Sequence, residues 1–204
     1  MAHKTLGSRD VDQFLCDFHD IAPEFHAAYA GRLKHITRSG FPPGVGAGRG
    51  TPAQYDAEQF FQMVAIAELG EFYVPATHAI QFVSEAWPRL RETVLRVWSA
   101  VDAAQETGVD KEEPIFWRLP VEAQRHISRD RPYSPDSEYV LTIMSMDEVE
   151  VSMRKGGYDI RRHAFIAAHQ VVRDALRQLG YKLGGHGALA AFMQSMVVPT
   201  PVEE

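Results

Sequence analysis

The chain has 204 residues, 45% hydrophobic and 24% charged, a balance that suits a packed globular core rather than a disordered segment. No apolar run approaches the roughly 20 residues of a membrane-spanning helix, and the opening MAHKTLGSRD lacks the apolar centre of a secretory leader. A single cysteine, Cys16, excludes an internal disulfide or four-cysteine zinc framework, so the expectation is a cytoplasmic protein without metal or cofactor, on an acidic background of formal charge −6.

In chain order, Asp10, Val11 and Asp12 open an amphipathic run in which Val11, Phe14, Leu15 and Phe18 share a face. Residues 21–24 form a short break, with Pro23 placed to start the next helix. That helix directs Phe25, Ala28, Tyr29, Leu33 and Ile36 inward, at intervals of three and four. Arg32, His35 and Arg38 fall mostly off this stripe, with Lys34 nearby. Two short helices joined by a tight turn, the second with cations outward, have the layout of a helix-turn-helix.

The charge pattern around them is uneven. Between Glu24 and Asp56 there is no carboxylate side chain, where an even spread of the chain's 27 acids would place about four. Residues 40–50 hold five glycines and two prolines and so cannot continue a helix. The GxGxG within them follows a polar helix rather than a buried strand, which disfavours a nucleotide loop. A β-hairpin wing with Arg49 near its tip or second strand fits better, returning through Gln54 and Tyr55. Asp56 with Gln59 three residues on has the spacing of a capping box for a following helix.

The run RLKHITRSGFPPGVGAGRGTPAQYDAEQFFQMVAIAELGEFYVPATHAIQFV resembles the winged-helix DNA-binding domain of MerR-like regulators, over residues 8–87. The matching features are Arg32 to Arg38, Gly40 and Phe41, the Pro/Gly/Arg-rich segment 42–50, Tyr55 and Asp56, then helices over 56–70 and 75–86. The resemblance implies that Arg32, His35 and Arg38 enter a major groove, where arginine can pair with guanine O6 and N7. Lys34 is as suited to phosphate as to a base, and Arg49 to the minor groove or a phosphate. Thr37, Ser39, Thr51 and Gln54 would supply neutral donors. Four firm cations per subunit are few for tight binding, so the expected unit is a homodimer on a roughly palindromic site.

Further along, Phe60, Phe61, Met63, Val64, Ile66 and Leu69 make the helix 56–70 apolar on more than one face. A break is expected at Trp87 and Pro88, followed by a helix over 89–106 with Leu90, Val94, Val97, Trp98 and Val101 on one side. The polar, acidic residues 105–114 mark a domain boundary. Beyond it, strands are predicted at 115–119, 139–146 and 149–153, the last two as a hairpin, then an amphipathic helix over 160–179 capped by Gly180. His163 and His169 lack metal-ligand spacing, and His186 lies in a Gly-rich loop. No nucleophile or paired-carboxylate constellation has a convincing spacing. The clusters Arg125, His126, Arg129, Arg131 and Arg161, Arg162 read as solvated charge, and residues 197–204 as a disordered tail.

The sequence therefore predicts a mainly α protein with a small α+β C-terminal part. A winged helix-turn-helix domain with following helices would span 8–106, and a dimerisation or sensing domain with a short antiparallel sheet and a long amphipathic helix 114–196. The expected function is a transcriptional regulator bound to double-stranded DNA in the nucleoid, without enzymatic activity, any small-molecule effector being unknown. The competing expectation is a protein–protein adaptor that uses the aromatic-rich helices 56–104 and does not bind DNA.

Overall fold

Where apolar runs in this chain meet capping side chains, helices begin. The structure, a computed structural model, describes residues 5–45, 52–108, 113–120, 141–154 and 163–197. Among these residues the order is β1 Leu6–Gly7, α1 Ser8–Phe18, a 3₁₀ turn Pro23–Phe25, α2 His26–Arg38, β2 Gln54–Tyr55, α3 Ala57–Glu71 and α4 Ala76–Thr107. There follow β3 Ile115–Pro120, β4 Thr142–Ser145, α5 Met146–Arg154, β5 His163–Ile166, α6 Ala168–Leu183 and α7 His186–Val197. The protein is thus mainly helical with a small antiparallel sheet. No helix among the described residues is long and apolar enough to cross a membrane.

The chain divides into two compact units, Met1–Ile80 with Asp174–Glu204, and Gln81–Arg173. Residues 174–204 return to the first unit because the C-terminal α7 packs on α3. The first unit is built around α3, which is buried on every side, as its low polarity demands. The Phe60 ring meets Phe14 of α1 edge-on at 4.9 Å and Phe192 of α7 edge-on at 6.0 Å. Ser195 ties α7 to the start of α3, its Oγ accepting from the Ala57 N–H at 3.2 Å. Lys182 at the end of α6 donates to the Asp10 carbonyl at 3.0 Å.

The expected capping box at α3 is present: Asp56 Oδ1 accepts from the Gln59 N–H at 2.8 Å, and Gln59 Oε1 accepts from the Asp56 N–H at 3.0 Å. Gln59 Nε2 also donates to the Pro43 carbonyl at 2.9 Å, which fastens the segment after α2 to α3. Residues 46–51, where most of the expected wing falls, lie outside the described residues, and with them Arg49 and Thr51. What is described is a two-stranded antiparallel ribbon in which Gln54 and Tyr55 pair with Gly7 and Leu6. Leu6 and Tyr55, opposite one another, are both buried.

In the second unit the sheet order is β4-β3-β5, antiparallel throughout, with Trp117 opposite Ile143 and Ile166. Ile115, Trp117 and Leu119 alternate into the core. His169, weighed as a ligand from sequence, is structural here: its Nδ1 lies 3.1 Å from the Ile115 carbonyl oxygen and its ring edge-on to Phe116.

Several elements differ from expectation. Residues 149–153 are helical, not a strand, because Ser145 and Glu148 close a capping box before them. The Glu148 carboxylate accepts from the Ser145 N–H at 2.7 Å, and Ser145 Oγ accepts from the Glu148 N–H at 3.3 Å. Residues 163–166, assigned to a helix by pattern, pair with β3 instead. Gly180 lies inside α6, which ends at Leu183 before the positive-φ Gly184 and Gly185, and His186 starts α7. Trp87 and Pro88 do not break the chain: Ala76–Thr107 is one helix with Pro88 inside it. An internal proline costs about 3 kcal/mol. Burial of Phe82, Val83, Trp87, Leu90, Val94 and Val97 on both sides of it, roughly 1.5–3 kcal/mol each, outweighs that. Phe25 and Ala28, expected inward, are exposed. The Arg125–Arg131 and Arg161–Arg162 clusters and residues 198–204 fall outside the described residues.

Replacing Asp56 by Ala should cost about 1 kcal/mol and lower the Tm by roughly 2–4 °C. Thermal denaturation of the variant beside the wild type measures this directly.

Candidate nucleic-acid interface

The side chains singled out on α2 are placed by its three buried residues, Tyr29, Leu33 and Ile36, which fix which face turns outward. His26 Nε2 donates to the Ile21 carbonyl at 2.7 Å and anchors the start of the helix. Arg32, Lys34, His35 and Arg38 are all exposed. None of the four makes a side-chain hydrogen bond or ion pair among the described residues. Lys34 has Asp12 of α1 in its field; burial raises the Asp12 carboxyl above its usual range, and Lys34 partly counters that.

The neutral donors fare differently. Thr37 Oγ1 lies 3.1 Å from the Lys34 carbonyl oxygen and Ser39 Oγ 3.0 Å from that of His35, so both hydroxyls donate back into α2. Gln54 is exposed on β2, where its Oε1 accepts from Thr5 Oγ1 at 2.8 Å. It is not joined to the α2 cations by any contact among the described residues. The structure therefore gathers Arg32, Lys34, His35 and Arg38 on one helix, sets Gln54 apart from them, and does not describe Arg49 and Thr51.

Along one flank of α2 runs an open cleft of about 860 Å³. Arg32, His35 and Tyr29 line it from α2, and Glu71, Tyr73 and Val74 from the end of α3 and the turn after it. Tyr73 is 90% exposed and held at φ 58, a left-handed conformation that a bulky residue adopts at a cost.

Next to the cleft, three helices bring a set of polar side chains together. His19, just past α1, has a side chain only 6% exposed, with Nδ1 4.0 Å from Glu68 Oε2 of α3. Its ring centroid is 6.1 Å from that of Tyr29. His19 Nε2 and the Tyr29 hydroxyl are buried with no hydrogen-bond partner among the described residues. Burial pushes the Glu68 carboxyl up to about 7, and the nearby Glu71 charge adds to this. Burial pushes His19 down, Glu71 pulling weakly the other way. Near neutral pH, then, His19 is uncharged and Glu68 is partly protonated, so the 4.0 Å contact is not a standing ion pair. Burial, with Glu71 next, also drives the Tyr29 phenol upward, and it stays neutral.

Sequence reading did not single out His19, Glu68, Glu71 or Tyr73. One signal was present: Gln62 and Glu68 interrupt the apolar run of α3, and a polar group on a largely buried helix needs a reason. Among the described residues, no group of three or more His, Cys, Asp or Glu is placed to hold a metal ion. Compared with family models, curated proteins and solved structures, the chain matches none.

Two stability outcomes follow from this geometry. Tyr73→Gly should raise stability by up to about 1 kcal/mol, since glycine takes the left-handed conformation freely and the exposed ring loses little packing. For Glu68, a folded pKa above the ordinary 4.5 means the native state binds the extra proton, so stability falls as pH rises from 4.5 through about 7. Glu68→Gln should remove up to about 3 kcal/mol of that loss. Its Tm should exceed that of the wild type by more at pH 8 than at pH 5.

Proposed function

We propose that this protein is a sequence-specific DNA-binding transcriptional regulator whose N-terminal part works as a MerR-like winged helix-turn-helix. The observation that carries the reading is the outward set Arg32, Lys34, His35 and Arg38 on α2, exposed and without an ion-pair partner among the described residues. A folded protein of net charge −6 has acids enough to neutralise three firm cations, and here Arg32, Lys34 and Arg38 stand on one helix without an ion pair among the described residues. Such a helix suits the major groove, with arginine reading guanine edges and Lys34 meeting phosphate.

The surroundings suit the same role. α1 packs on α2, as the two helices of a helix-turn-helix do, and the Pro/Gly segment 42–51 follows α2 in the sequence, the order in which a wing follows a recognition helix. The cleft beside α2 carries Arg32 and His35 on the wall nearest this helix and can admit part of a nucleic-acid backbone. Because four cations give a modest electrostatic contribution, the working form is a homodimer on a two-fold related site.

The adaptor alternative has less support. Of the aromatic residues in 56–104, Phe60, Phe61, Phe82, Trp87 and Trp98 are buried, and Tyr73 is the large one left exposed among the described residues.

Duplex binding measured by fluorescence anisotropy over a salt series tests the proposal. Affinity should fall steeply with salt, the log–log slope being about −0.9 for each phosphate neutralised. Arg38→Ala and Arg32→Ala should each weaken a specific site by about 1–3 kcal/mol if they read bases, or flatten the slope by about one if they meet phosphate. Unchanged affinity and slope in both variants would remove α2 as the reader.

A further inference from the structure

We infer that His19, Tyr29, Glu68 and Glu71 form a proton-binding site that makes the affinity of the adjoining cleft for DNA depend on pH, up to one proton being taken up at Glu68 as each protomer binds. This rests on α2 being the DNA-contacting helix.

A buried polar network is stable when every member has a partner and costly when some do not. Here two groups, His19 Nε2 and the Tyr29 hydroxyl, are buried without one among the described residues, and the nearest charged neighbour of His19 stands off at 4.0 Å. Packing has brought α1, α2 and α3 together around groups whose mutual fit varies with the number of protons they share.

The groups that face the cluster are few. From α1 and its end come Cys16 and His19, from α2 Tyr29 and Arg32, from α3 Glu68 and Glu71, with His35 on the outer wall of the cleft. The Cys16 thiol and the Tyr29 phenol are both pushed up, so neither changes charge near neutrality. Burial pushes His19 down, so its protonation comes on the acid side. Glu68 is left as the member of the cluster that changes charge close to pH 7.

The consequence follows from position. Glu71 lines the cleft that also carries Arg32 and His35, and Glu68 lies one helical turn behind it on α3. When Glu68 ionises, its charge adds, from one turn behind, to that of Glu71, which shares the cleft lining with Arg32. A bound polyanion disfavours that charge, and by linkage the protonated state binds DNA more tightly. Uptake of one proton changes affinity by at most tenfold per pH unit.

The test is duplex affinity at constant ionic strength from pH 6 to 8.5, for the wild type, Glu68→Gln, Glu71→Gln and His35→Gln. The wild type should bind roughly three- to tenfold more weakly at pH 8 than at pH 6.5. His35→Gln should weaken binding overall and keep a slope, and Glu68→Gln combined with it should keep the tighter affinity and lose that slope. Glu71→Gln should move the midpoint to lower pH, and it supplies the decision if Glu68→Gln does not fold. A slope that is absent from His35→Gln, or that persists when Glu68→Gln is added to it, overturns the inference. If the wild type binds no duplex at any pH in low salt, the DNA-binding reading itself fails. The proton site is then judged by stability alone, and parallel Tm–pH profiles for wild type and Glu68→Gln would sink it.

Discussion

The first unit depends on the burial of α3. The Phe60 ring is held edge-on by Phe14 from one side and Phe192 from another, and neighbouring positions along the helix are shielded as well. A helix buried continuously over Phe60–Ala67 has little room to slide or rotate, since a shift drives side chains into a filled interior. The start of the helix is fixed too, by the Asp56–Gln59 box and by Ser195. Because α1 also packs on α2, the orientation of α2, and so the direction in which its cations point, is inherited from this core.

That inheritance explains how an acidic protein can present a basic face. Tyr29, Leu33 and Ile36 turn one side of α2 inward, and what remains outward is Arg32, Lys34, His35 and Arg38. The acids of the same unit are partly spent elsewhere. Asp56 caps a helix, Asp10 accepts from the Gly7 N–H, and Glu68 is drawn beneath the surface beside His19. Local field, not net charge, sets what such a surface attracts.

The same packing leaves two features that core stability does not explain. Tyr73 stands exposed in a conformation better suited to glycine, and the His19–Tyr29–Glu68 set is buried with polar atoms unpaired. Both border the cleft beside α2. Local conflicts of this kind gather where a surface is shaped for a purpose other than stability.

By itself the sequence determined the periodic helices, the acid-free interval around α2, and the capping box at Asp56, because each is written in neighbours three or four residues apart. The apolar character of α3 likewise announced its burial. Spacing could not decide whether residues 149–153 extend or coil, since Val149, Glu150, Val151, Ser152 and Met153 alternate like a strand; the Ser145–Glu148 box settled it. Nor could it keep α4 continuous through Pro88, where the outcome depends on burial along both flanks of the helix. Only the tertiary structure decided that α7 closes the core on α3 and that His19 meets Glu68 and Tyr29. Those contacts join residues far apart in the chain, and their energies come from what each side chain displaces water against, which no local pattern records.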